Sequence, residues 1–171
     1  MRLVVLAYNE GRNLESLLER VKAALGSRAW RAFIVDDGST DGTAAVLERL
    51  AVRLPVSVLS HGTNRGISAA FLTGLRAALE GADDGDAVAV LEGDGTSDPV
   101  LLPAMQRALL PPCDVVIASR HVPGGGYRRF PLKRLVLSIA ANAVLRLLCG
   151  LPEVRDYSIF YRLYRAGPLK R

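Results

Sequence analysis

Glu92 and Asp94 stand one glycine apart in the stretch Val-Ala-Val-Leu-Glu-Gly-Asp-Gly-Thr-Ser-Asp-Pro, residues 88–99. Two carboxylates at that spacing, where a strand gives way to a loop, can turn to one side and present hard oxygen ligands. Mg²⁺ and Mn²⁺ take one or two such carboxylates and complete their shell with water and substrate phosphates. The apolar run Val88–Leu91 reads as a buried strand. Asp98 and Pro99 read as the cap and first residue of a helix. Alone, the two acids suit a solvated turn as well as a metal site, so the elements around them have to be weighed.

Those elements alternate. Leu3–Ala7 is an apolar strand that ends in Tyr8-Asn9-Glu10, and a helix over 11–25 follows with Leu14, Leu17, Leu18, Val21 and Leu25 on one face. Ala32–Val35 is a second strand, ending in Asp36-Asp37-Gly38-Ser39-Thr40-Asp41-Gly42-Thr43, where Ser39 or Asp41 can cap a helix over 43–54. Val56–Leu59 is a third strand, followed by the loop His61–Gly66 and a helix to about Leu79. After the fourth strand, Ala87–Leu91, come a helix over 99–110 and a fifth strand, Val115–Ala118, which ends in Ser119-Arg120. Strands this uniformly apolar, separated by helices, predict a parallel α/β sheet covered on both faces. In such sheets ligands bind at the carboxyl ends of the strands. Those ends carry Tyr8, Glu10, Asp36, Asp37, Asn64, Arg65, Glu92, Asp94 and Arg120, a concentration of useful chemistry that marks a site.

The dinucleotide fingerprint Gly-x-Gly-x-x-Gly is missing after the first strand, and so is a Walker A loop, which disfavours hydride transfer and P-loop chemistry. An acid at the end of strand two can accept hydrogen bonds from a base N–H or from ribose hydroxyls. The pair at strand four can hold a metal on a diphosphate.

The bulk numbers agree with one enzyme-sized domain. The chain has 171 residues, half of them hydrophobic, and two cysteines without metal-type spacing, which favours a reducing, cytoplasmic setting. Met1 leads straight into the first strand, so no signal peptide is expected. Charge is uneven: residues 1–119 carry 11 Lys/Arg against 15 Asp/Glu, residues 120–171 carry 11 against 2. A basic final third implies an anionic partner. No helix-turn-helix, RNP or zinc pattern is present, so nucleic acid is not the expected one. Leu135–Leu151 is short for a membrane span and is broken by Arg146; with Arg128, Arg129, Lys133 and Arg134 before it, an interfacial helix on an anionic membrane and an ordinary buried helix are both open readings.

Ala-Tyr-Asn-Glu (7–10), Val-Asp-Asp-Gly-Ser-Thr-Asp-Gly-Thr (35–43), Asn-Arg-Gly (64–66), Glu-Gly-Asp (92–94) and Ala-Ser-Arg (118–120), in this order and spacing, resemble the inverting family 2 glycosyltransferases of GT-A fold. The similar branch is the polyprenol-phosphate sugar transferases, of dolichol-phosphate mannosyltransferase type. Its tail pattern is resembled by Ser138, Asn142, Arg146 and the run from Asp156 to Arg165. The resemblance implies that Ala7, Tyr8 and Glu10 line the nucleotide pocket and that Asp36 contacts base or ribose. Asp37, which also suits a turn, and Asn64 fall among the donor-binding positions. Glu92 and Asp94 take the two ends of the family's Asp-x-Asp metal motif, with Mg²⁺ or Mn²⁺ as the ion. Arg120 falls beside the diphosphate, Arg134 and Arg162 near phosphates of donor or acceptor, and Asp156 on the opposite wall, making Asp94, Arg120 and Asp156 the implied catalytic set. His61 and His121 match no metal or triad spacing and read as structural.

The chain departs from the pattern at Glu92, where Asp is commoner, and at Phe160, where the family usually has Gly. Two parts of one domain are expected: residues 1–123 as the nucleotide-sugar-binding α/β core, and 124–171 as an acceptor-side, membrane-proximal and truncated segment. The implied reaction moves a hexose from a GDP- or UDP-sugar to a polyprenyl phosphate, at the inner face of the plasma membrane. The alternatives are a family 2 transferase with a non-lipid acceptor and a non-catalytic nucleotide-sugar-binding module.

Overall fold

Leu3, Val4 and Val5 are adjacent in sequence, point to alternate faces, and are all fully buried. A strand covered on both sides is the simplest consequence of an uninterrupted apolar run. In the computed structural model, which describes residues 1–126, 132–151 and 154–171 (the side chains of 132–136 excepted), that strand lies inside a six-stranded sheet. The chain divides into two compact units, Met1–Val116 with Tyr161–Arg171, and Ile117–Phe160.

The first unit holds β1 (Arg2–Ala7), α1 (Gly11–Leu25), β2 (Arg31–Asp36), α2 (Thr43–Arg53), β3 (Val56–Ser60), α3 (Ile67–Leu79) and β4 (Ala87–Glu92). A 3₁₀ turn over Pro99–Leu101 runs into α4 (Leu102–Ala108), and β5 (Val115–Ile117) follows. The spatial order is β3-β2-β1-β4-β6-β5, where β6 is Arg162–Arg165. β1, β2, β3 and β4 are parallel, with Leu6 paired to Val35 on one side and to Glu92 on the other. This register brings the ends of β1, β2 and β4 level. Because β1 leads one way to β2 and β3 while β4 lies on its other side, the sheet has its topological switch point between β1 and β4.

The helices are amphipathic where the sequence places them. α1 buries Leu14, Leu17, Leu18, Val21 and Leu25, the expected face, and packs on α2 and α4. α3 packs on β1 and β2 so closely that a Cβ on Gly74 would fall 2.4 Å from a methyl of Val4.

One expectation needs correction, and the mostly parallel sheet has one strand beyond the five expected. The single helix over 99–110 is a 3₁₀ turn followed by a short α-helix ending at Ala108. The tail returns as β6, antiparallel to β4 with Val90 opposite Arg162, and so separates β4 from β5. Only Leu163 of β6 is fully buried, and its neighbours are half-buried Arg and Tyr, so no apolar run announces this strand. Closing this unit, α6 (Ala166–Leu169) is a single turn.

In the second unit the main element is α5, Leu132–Cys149. Leu137, Leu147 and Leu148 on it are 69%, 84% and 74% exposed, an unusual load of apolar surface for one helix.

Candidate active site

Where β1 and β4 end, the peptide N–H of Gly93 donates to the carbonyl of Leu6 at 2.7 Å. A Cβ at residue 93 would lie 2.9 Å from that same oxygen, so glycine is what lets the two strand ends close. The chain then leaves β4 in a tight turn. Asp94 Oδ1 accepts from Thr96 N at 2.9 Å and from Thr96 Oγ1 at 2.7 Å, which fixes the carboxylate on its loop. Ser97, buried, accepts from Glu92 N at 3.3 Å, and Asp98 caps the 3₁₀ turn by accepting from Val100 N at 3.1 Å.

Above these ends lies a cleft of about 330 Å³. Its polar lining is Tyr8, Glu10, Asp37, Asn64, Glu92 and Asp94; Leu6, Ala7, Ile67 and Ala70 form an apolar wall. The position is the switch point of the sheet, where open α/β folds take their ligands. Tyr8 is 46% exposed at the rim. Among the described residues no group of three or more His, Cys, Asp or Glu side chains is placed to hold a metal. The residues there that could hold a metal are Glu92 and Asp94. Such a pair fits Mg²⁺ or Mn²⁺ that completes its shell with a ligand's phosphate oxygens and water.

The loop after β1 is locked to the loop after β2. Asn9 adopts a positive φ of 58°, a region that Asn tolerates better than most residues. Its N–H donates to Ser39 Oγ at 2.9 Å and its Oδ1 accepts from Thr40 N at 2.8 Å. The N–H of Glu10 donates to Thr43 Oγ1 at 3.0 Å. Asp41 accepts from Thr43 N at 3.0 Å and from the Thr43 hydroxyl, and these bonds outweigh desolvation and hold its carboxyl below 3.8. Tyr8 and Glu10 therefore flank an asparagine that is bonded to the neighbouring loop.

Asp36 and Asp37 behave differently, although both are buried. Asp36 Oδ1 accepts from Ser39 N at 3.0 Å, and Asp36 is not among the cleft-lining residues. Asp37 does line the cleft and also organises it. Its Oδ1 lies 2.7 Å from His61 Nδ1 and accepts from Arg65 N at 2.9 Å; its Oδ2 accepts from Gly66 N at 2.8 Å. Burial alone would raise its pKa, but the His61 bond and the two peptide N–H bonds outweigh burial and hold the carboxyl below 3.8. An ionised Asp37 only accepts, so His61 Nδ1 carries the hydrogen.

In the second unit, Arg120 binds Asp156 with Nε to Oδ2 at 2.8 Å and Nη2 to Oδ1 at 3.0 Å. Asp156 is fully buried. Burial pushes its pKa up, but the Arg120 hydrogen bonds and charge, with the bond from Ser158, reverse the sign and lower it. Asn142 on α5 accepts from Tyr157 N at 2.6 Å and donates to Ser138 O at 2.8 Å, tying the helix to the segment that carries Asp156.

Of the residues singled out from sequence, Ala7, Tyr8, Glu10, Asp37, Asn64, Glu92 and Asp94 come together in the cleft. Arg120 and Asp156 pair with each other in the second unit. Arg162 sits on β6, opposite Val90 of β4. The side chain of Arg134, and residues Arg128 and Arg129, lie outside the described residues. The apolar wall of Leu6, Ile67 and Ala70 carries no mark in the sequence, because its residue types are those of ordinary core. His61, expected to be structural, bonds Asp37, a contact for which the sequence carries no local signal.

The glycosyl transferase family 2 model matches residues 3–171. The chain is 36% identical over 172 residues to polyprenol monophosphomannose synthase of Mycolicibacterium smegmatis, covering 99% of this chain and 63% of that protein. It is 33% identical over 168 residues to undecaprenyl-phosphate mannosyltransferase of Micrococcus luteus, covering 98% and 67%. With dolichol-phosphate mannosyltransferase of Pyrococcus furiosus the identity is 32%, over 90% of this chain and 42% of that one. The chain thus spans between 42% and 67% of the length of these relatives. Among solved structures, glucosyl-3-phosphoglycerate synthase from Mycobacterium tuberculosis, in complex with Mn²⁺, UDP and glucosyl-3-phosphoglycerate, superposes with a TM-score of 0.68 at 19% identity, covering 96% of this chain and 56% of that one. A mannosyltransferase from Pyrobaculum calidifontis in complex with GDP-Man and Mn²⁺ gives 0.60 at 18% identity, covering 99% and 45%. The shared fold is GT-A.

Proposed function

The chain belongs to glycosyl transferase family 2, and from that premise we propose that its cleft binds a nucleotide-diphospho-sugar whose hexose is transferred, with inversion, to a polyprenyl phosphate. One observation carries the reading: Glu92 and Asp94 share a cleft with Tyr8 and Glu10 at the switch point of the sheet. Glu92 and Asp94 are the residues that would hold a divalent cation. Bound there, the ion would supply positive charge to the donor's diphosphate. Tyr8 at the rim offers an aromatic face to the nucleoside, and the apolar wall excludes water from one side of the donor.

In the transfer itself, a phosphate oxygen of the acceptor forms the new bond to the anomeric carbon. The bond from that carbon to the diphosphate breaks, and the nucleoside diphosphate leaves with the electron pair. An anionic acceptor needs no strong base to remove a proton, which agrees with a cleft whose buried acid, Asp37, is occupied by three hydrogen-bond donors. Arg120, oriented bidentately by a buried Asp156, is a preorganised guanidinium suited to a phosphate.

The acceptor class rests on the relatives named above and on α5. No helix among the described residues is long and apolar enough to cross a membrane. The exposed leucines of α5, with Arg146 among them, fit a helix that lies in the headgroup region. The test uses the full chain with labelled GDP- and UDP-hexoses and a polyprenyl phosphate in detergent. Label recovered in the lipid phase, dependent on Mg²⁺ or Mn²⁺, is the expected result. Label transferred only to water-soluble acceptors would replace the lipid reading.

A further inference from the structure

His61 is a buried titratable side chain that the proposed chemistry does not use. It is 7% exposed, with Nδ1 2.7 Å from Asp37 Oδ1 and Nε2 3.0 Å from Thr73 Oγ1 of α3. Its own N–H donates to the carbonyl of Asp36 at 2.9 Å. Asp37 in turn accepts the N–H groups of Arg65 and Gly66 and donates its own N–H to Ala7 O at 2.9 Å. Three segments of the cleft therefore meet at one residue, Asp37: its peptide N–H holds the end of β1, it follows directly on β2, and its carboxylate holds the entry to α3.

The entry segment has one further side-chain bond of its own, Asn64 Oδ1 accepting from Gly66 N at 3.0 Å. Gly66 has a φ of 85°, and residues 63–64 pass so close over Gly38 that a Cβ there would lie 2.4 Å from the Thr63 carbonyl carbon. A carboxylate can rotate about its χ2 torsion, and the orientation that serves both Arg65 and Gly66 is only one of those open to it. With Nδ1–H on Asp37 and Nε2 in a hydrogen bond with the Thr73 hydroxyl, the imidazole is fixed at both ends and pins that orientation.

We infer that His61 is a positioning residue for the cleft: through Asp37 it holds the Asn64–Gly66 wall in the conformation that receives the donor. The inference rests on the cleft being the donor site, and the experiment separates the two. Amide hydrogen exchange at Arg65 and Gly66, followed by NMR on the full chain, reads the positioning without any nucleotide. Titration with UDP and GDP in Mn²⁺ reads the consequence.

In His61→Leu, exchange at Arg65 and Gly66 rises tenfold or more while amides of β1 and β4 change far less, about the scale of a local opening. Nucleotide affinity falls about tenfold, as for loss of an outer-shell partner. His61→Asn places an amide N–H near the former Nδ1 but cannot reach Thr73; it restores most of the protection and affinity, although its thermal midpoint stays lowered. Thr73→Val carries the same test without emptying the His61 site: exchange at Arg65 and Gly66 rises, by less than in His61→Leu, and β1 and β4 stay protected.

Uniform acceleration of all core amides, or an Asn variant as impaired as the Leu variant, would reduce His61 to core packing and overturn the inference. A wild-type chain that binds neither nucleotide would remove the donor reading, while the exchange pattern would still decide whether His61 holds this segment.

Discussion

At Asp37 and Asp156 the chain buries carboxylates and keeps them ionised, one with His61 and two peptide N–H groups, the other with Arg120 and Ser158. Both carboxyls sit below 3.8 in the folded chain. A lowered folded-state pKa contributes stability that is complete above the unfolded carboxyl value and is lost as pH falls through the folded one. The thermal midpoint is therefore expected to be level down to about pH 5 and to drop below about pH 4. In the double variant Asp37→Asn/Asp156→Asn that acid drop is shallower, because two of the groups responsible are gone. Arg120→Ala strands a fully buried carboxylate and is expected to cost about 3 kcal/mol in denaturant unfolding, the usual scale for breaking a buried ion pair. Asp156→Asn, which keeps partial hydrogen bonding, costs less, about 1–3 kcal/mol.

Helices and loops carry the next set of consequences, because three glycines separate distinct causes. Gly38→Ala meets both a φ of 74° and a Cβ 2.4 Å from Thr63, so a loss above about 1–3 kcal/mol is expected. Gly74→Ala overpacks α3 against Val4 and Val35, with a cost of about 1–3 kcal/mol. Gly62→Ala meets nothing within 4 Å and is expected within about 0.5 kcal/mol of the parent. Urea unfolding of the three ranks them, and a Gly62 variant as damaged as Gly38 would contradict the loop packing. The same scale explains what the sequence could disclose. The face of α1 and the strand-end acids of β1 and β4 were legible because each is a local pattern, apolar period or apolar run followed by charge. β6 was not, since Arg-Leu-Tyr-Arg buries one residue fully and pairs with β4, more than 70 residues earlier. The turn at 36–43 was legible as a polar turn at a strand end, but which of its acids lines the cleft was not. Asp36 bonds its own turn and Asp37 faces the cleft, a difference set by contacts with His61, Arg65 and Gly66 across more than 20 residues.

Taken whole, the molecule pairs an acidic first part with a basic final third, 11 Lys/Arg against 2 Asp/Glu over residues 120–171. The proposed contact of α5 with an anionic membrane draws on that composition and on the exposed leucines of the helix. Leu147→Glu/Leu148→Glu is expected to lower binding to vesicles containing phosphatidylglycerol by about tenfold or more; unchanged binding would show that α5 does not contact lipid. The central claim, that the cleft is a metal-assisted donor site, is tested most directly by calorimetric titration of the chain with UDP and with GDP. Each is titrated in Mn²⁺ and in EDTA, and again on Asp94→Ala. The account expects one nucleotide to bind in Mn²⁺, at least about tenfold more weakly in EDTA, and hardly at all to the variant. Equal binding with and without metal, unaffected by loss of the Asp94 carboxylate, would contradict it.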